Sequence, residues 1–126
     1  MSQVNEYFKR EEFACKCGCG FDSVDVELLK VLTLVRQNFE QPVIINSACR
    51  CESHNKNVGG AFHSTHKFGK GADIRVKDVP PPDVYDFLTR WFPMSKGLGL
   101  YDSWVHIDVR ENRARWNHSK YKLKMI

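Results

Sequence analysis

The chain has 126 residues, 42% of them hydrophobic, which suits a single compact domain over residues 1–126 with one modest core. Its formal charge of +4 favours an anionic polymer as partner, but there are no arginine-rich blocks and no recognition-helix pattern, which argues against nucleic acid. No run reaches transmembrane length and Met1–Glu6 carries no basic-then-apolar leader, so the expectation is a monomer made in the cytoplasm, without membrane insertion.

In chain order, Tyr7-Phe8 to Phe13 reads as a short amphipathic lead-in that caps the core with aromatics. Cys15, Cys17 and Cys19 follow at every second position, and Cys49 and Cys51 repeat that spacing. Structural zinc sites prefer two residues between paired cysteines, so reduced, packed thiols are the simplest reading, ahead of disulfides between the clusters and of a second zinc. Ser23 is placed to cap a helix over about 24–39, whose stripe of Leu28, Leu29, Val31, Leu32, Leu34 and Val35 has core spacing. Pro42–Ser47 reads as a buried strand, and Ala72–Val76 as another. Pro80-Pro81-Pro82 breaks the chain before a second amphipathic helix over 82–92, stopped by Pro93. Gly97–Tyr101 and Trp104–Val109 form a pair of strands around a turn at Asp102-Ser103, and Ala114-Arg115-Trp116 adds an edge strand after a turn at Glu111–Arg113. The whole is an α+β fold: a small, mostly antiparallel sheet flanked by two helices.

Two strands carry residues with chemistry. In Ala72–Val76 and in Trp104–Val109 the polar residues share one face and the aliphatic ones the other, which puts Asp73 and His106 outward. His66 arrives from a loop, and Gly69-Lys70-Gly71 is flexible enough to fold it back toward Asp73. Histidine and aspartate are zinc ligands, and three of them leave one coordination position open, as a catalytic rather than a structural zinc requires. The plainer alternative is that His106 is an ordinary hydrogen-bonded strand histidine.

Ser64-x-His66-x2-Gly69-x3-Asp73, followed by His106, resembles the signature of the zinc D-Ala-D-Ala carboxypeptidases and L-alanyl-D-glutamate endopeptidases, the VanX-like murein peptidases of bacteria and phage lysis cassettes. A second match is Ser47-x2-Arg50-x4-Asn55-x2-Val58-Gly59-Gly60, and the likeness runs from about Phe8 to Trp116. The resemblance implies a DD-peptidase/hedgehog-like fold with His66, Asp73 and His106 as zinc ligands. It implies that Arg50 holds a carboxylate or carbonyl of a peptidoglycan stem peptide, where its planar fork makes two parallel hydrogen bonds, and that Ser64 also contacts substrate. Hydrolysis of a D-Ala-D-Ala, cross-link or L-Ala-D-Glu bond would then follow, at the cell wall after phage-type release.

One position departs from the pattern. Several members carry a glutamate three residues before the last histidine as proton shuttle, and Ser103 stands there instead. Asp102 is the nearest carboxylate and takes the role of base in this reading, with Asp108, His63 or a water as rivals. A zinc-containing wall-binding or phage structural module without catalysis is the competing class, since hedgehog-type domains share the fold and act by binding.

Overall fold

A computed structural model describes residues 5–16, 24–48 and 70–122. Its elements are a 3₁₀ turn over Arg10–Phe13, helix α1 (Val26–Phe39), strands β1 (Val43–Ser47) and β2 (Gly71–Val76), helix α2 (Pro81–Trp91), and strands β3 (Gly97–Leu100), β4 (Val105–Asp108) and β5 (Ala114–Asn117). The five strands form one sheet in the order β1-β2-β4-β3-β5. Three of its pairings are antiparallel and the β3–β5 pairing is parallel, so the expected α+β class with a mostly antiparallel sheet holds. Among the described residues no helix is long and apolar enough to cross a membrane.

Side-chain alternation divides the sheet into two faces. Ala72, Ile74 and Val76 of β2, Leu98 and Leu100 of β3, and Val105 and Ile107 of β4 are all buried in one hydrophobic cluster. Leu28, Val31, Leu32 and Val35 of α1, and Val84, Tyr85 and Leu88 of α2, join that cluster, so the helices cover the aliphatic face. Each fully buried Leu, Ile or Val side chain there contributes about 1.5–3 kcal/mol relative to exposure. Phe8 and Phe13 close the core edge-to-face, with ring centroids 6.0 Å apart.

Three local expectations are corrected. The N-cap of α1 is Asp25 rather than Ser23: its carboxylate accepts from the amides of Glu27 at 2.8 Å and Leu28 at 3.3 Å. The carboxylate also meets the positive end of the helix dipole. The prolines begin α2 instead of merely breaking the chain, because Pro81 and Pro82 occupy its first turn, where a missing N–H costs nothing. β1 stands at the edge of the sheet among the described residues and is not wholly buried: Val43 and Ile45 are buried but Ile44 is only partly so and Asn46 is exposed.

The segment between β4 and β5 arches over the start of β3. Lys96 donates its amide to Arg110 O at 3.1 Å and accepts from Ala114 N at 3.0 Å, with a left-handed φ of 67°. Its ammonium is nearly buried and pairs with Glu27 of α1 at 2.9 Å, tying the end of the sheet to the first helix. This crossing carries the chain from one neighbour of β3 to the other and brings β5 in parallel to β3.

Candidate metal centre

The face opposite the helices carries Asp73, His106, Asp108 and Trp116. Asp73 and His106 are direct cross-strand partners in the β2–β4 register. Opposed residues of an antiparallel pair hold their Cβ atoms about 4.5–5.5 Å apart, so pairing alone makes these side chains meet. His106 Nδ1 lies 3.0 Å from Asp73 Oδ1. A register slip of one residue would turn His106 into the aliphatic layer and destroy the pair.

The other ring nitrogen faces a second carboxylate. Asp108, two residues on and on the same face, brings Oδ2 to 2.7 Å from His106 Nε2. The Arg110 guanidinium grips Asp108 with both ends of its fork, Nη2 to Oδ2 at 2.7 Å and Nε to Oδ1 at 2.8 Å. The Arg110 backbone amide adds a bond to Oδ1 at 3.2 Å. Asp108 is completely buried, whereas the Arg110 side chain is 41% exposed. His106 is buried and Asp73 partly so, their side chains keeping 10% and 16% exposure.

Two glycines of β3 clear room for this arrangement. Gly97 pairs with Asp108 and Gly99 with His106. A Cβ on Gly97 would collide with the Asp108 carboxylate and stand 2.6 Å from Arg110 Nε. One on Gly99 would run into the Trp116 indole. That indole sits beside the His106 ring, centroids 5.3 Å apart, and under the Arg110 guanidinium at 5.5 Å. Its Nε1–H donates to Tyr101 Oη at 3.0 Å, and Tyr101 stacks on Trp104 at 4.7 Å, so the face continues as an aromatic wall.

The electrostatics follow from these contacts. Burial opposes charge on Asp108, but the hydrogen bonds from His106 and Arg110 outweigh it and hold the carboxyl well below the usual carboxylate range. Burial likewise opposes charge on His106, and the bonds to Asp108 and Asp73, with the charges behind them, raise its pKa above the ordinary value. Asp108 is thus a committed anion. In the sequence reading it is a rival proton shuttle; in the structure its side chain touches His106, and its oxygens are taken up by His106 and Arg110.

Asp102 lies elsewhere. It is exposed in the turn between β3 and β4, where Oδ1 accepts the backbone amide of Lys120 at 2.7 Å, and it makes no hydrogen bond to Asp73 or His106. Arg50, Ser64, His66 and His63 lie outside the described residues, as do Cys17, Cys19, Cys49 and Cys51; Cys15 is buried. Among the described residues no three His, Cys, Asp or Glu side chains converge as a metal-binding group. The pair present nonetheless fits zinc. It offers one imidazole nitrogen and one carboxylate oxygen, 3.0 Å apart. Neighbouring ligands of a tetrahedral zinc, each about 2.0–2.1 Å from the ion, stand roughly 3.3 Å apart.

The sequence singles out Asp73 and His106, which the structure brings together, but not the residues that brace His106. The signal was there in His106-x-Asp108-x-Arg110, three polar residues at alternate positions leaving one strand, opposite Gly97-x-Gly99. Trp116 had no such signal, because its reach over Gly99 depends on β5 pairing in parallel with β3.

A family model described as Peptidase M15 matches residues 6–108, from the aromatic lead-in to the end of β4. Arg110 and Trp116 lie beyond the match. No curated protein matches the chain.

Proposed function

Since the chain belongs to the peptidase M15 family, zinc-dependent metallopeptidases that act on peptidoglycan peptides, we propose that it hydrolyses one peptide bond of the murein stem or cross-link. The observation that carries this is the Asp73–His106 pair, an oxygen and a nitrogen donor at ligand spacing on the sheet face opposite the helices. These two would hold zinc together with His66. When bound, the metal supplies the Lewis acid that polarises the scissile carbonyl and acidifies the attacking water.

The other roles belong to the chain. Arg50 and Ser64 hold and orient the peptide, Arg50 through a two-pronged grip on a carboxylate. The Tyr101–Trp104 wall continues the ligand-bearing face and would shield one side of the substrate from water. Asp102 takes the proton from water and returns it to the leaving amine, which requires its carboxylate to leave Lys120 N when substrate binds. The bond cut is D-Ala-D-Ala, a peptide cross-link or L-Ala-D-Glu, and the work is done at the cell wall after phage-type release. Digesting murein fragments with the purified protein and identifying products by mass tests this directly. One new amine terminus per cut is expected, lost on chelation and restored by zinc; intact fragments at full zinc occupancy would refute it.

One observation favours a second reading. Ser103 stands where several members of the family carry a glutamate, and Asp102 is turned to Lys120. A protein that retains zinc and binds sacculi without cutting them would be a wall-binding or phage structural module.

A further inference from the structure

The contacts of His106 go further than a ligand assignment. An imidazole has two nitrogens, and a metal takes only one; the partner of the other decides which. On this chain Nε2 faces Asp108 at 2.7 Å and Nδ1 faces Asp73 at 3.0 Å. Asp108 has no freedom to turn away. It is fully buried, gripped by both ends of the Arg110 fork and by the Arg110 amide, and roofed by β3, where even a methyl on Gly97 would collide with it. Arg110 is steadied in turn by the Trp116 indole, whose own Nε1–H is fixed on Tyr101 Oη. An ionised, immobile acceptor on Nε2 holds a proton there, so the nitrogen that gives up its proton to a metal is Nδ1, beside the partly exposed Asp73.

Resting on the zinc reading above, we propose that Asp108, braced by Arg110, is the positioning residue of the metal centre: it keeps the proton on His106 Nε2 and presents Nδ1 beside Asp73 as the ligand atom. Neither residue touches substrate or metal. Their effect is on the orientation and basicity of the ring, and an outer partner of this kind changes metal affinity by about 10–100-fold when removed.

The test uses the full chain loaded with one equivalent of zinc. Long-range proton–nitrogen correlations of the histidine rings should show His106 bound through Nδ1 with its proton on Nε2. Asp108→Asn should weaken zinc binding by 10–100-fold in competition with a chromophoric chelator and disturb that ring signature. Arg110→Gln, at a half-exposed position that tolerates the change, should weaken it less and in the same direction. If Asp108→Asn does not fold, Arg110→Gln and the wild-type spectrum decide. A zinc-loaded protein with His106 bound through Nε2 would overturn the proposal, as would wild-type affinity in the folded variants. A wild-type protein that takes up no zinc fails differently, because it removes the metal reading itself.

Discussion

Trp116 occupies the space that any side chain on Gly99 would need. The two are partners in the parallel β3–β5 register, and the indole lies flat enough over β3 that a Cβ on Gly99 would fall inside it, with Cζ2 at 2.8 Å. Glycine is therefore required at this position by packing rather than by backbone conformation. Gly99→Ala must push the indole off the His106 ring and strain its bond to Tyr101. Overpacking of this sort costs about 1–3 kcal/mol. Denaturant unfolding should show a loss in that range, and zinc affinity should fall with it. Gly97→Ala should be worse, because what it meets is a buried carboxylate already gripped by Arg110.

Zinc content offers the plainest check on the centre. Protein purified without added metal should carry about one zinc per chain, and His106→Ala or Asp73→Ala should lose it. Elemental analysis decides. Two zincs per chain would bring the cysteines Cys15, Cys17, Cys19, Cys49 and Cys51 back as a second site.

Arg50 can be tested by geometry rather than charge. If its guanidinium holds a substrate carboxylate at two points, Arg50→Lys should lose nearly as much activity as Arg50→Ala, since an ammonium cannot reproduce the planar fork. Zinc content should stay at the wild-type level in both. Full activity in Arg50→Ala would remove this residue from the site.

For Asp102 the readout is turnover at constant fold. Asp102→Asn keeps an oxygen to accept the Lys120 amide, so melting temperature and zinc content should hold. It cannot take a proton, and turnover should fall by about 10²–10⁴. An unchanged rate would pass the role to His63 or to a water; Asp108 is already committed to His106 and Arg110.

How much of this was legible beforehand depended on whether local pattern or long-range register set the feature. The alternation in Ala72–Val76 and Trp104–Val109 put Asp73 and His106 on the polar face because strand periodicity is local. The apolar stripe of α1 was legible for the same reason, since Leu28, Val31, Leu32 and Val35 repeat at helical spacing and are buried. The cap was misread because Ser23 and Asp25 are both good capping residues, and only the start of hydrogen bonding at Val26 chooses between them. Pro81 and Pro82 looked like breakers because proline ends helices and also begins them. The brace on His106 was invisible as a contact: spacing says that Asp108 shares a face with His106, but not that the Arg110 guanidinium holds the buried carboxylate against the ring.

The arched β4–β5 connection has a bearing on how the centre comes together. His106, Asp108, Arg110 and Trp116 come from the single run 106–116, closed by short loops and paired with a strand that immediately precedes it. Asp73 lies 33 residues from His106 along the chain, on a strand whose other neighbour among the described residues is β1. Short closures cost less chain entropy than distant pairings. The partners that aim the imidazole are therefore local in sequence, whereas Asp73 reaches it only through the long-range β2–β4 pairing. The seam between β2 and β4 is also where an ion shared by Asp73 and His106 would act as a rivet, joining the β1–β2 part of the sheet to the β4–β3–β5 part.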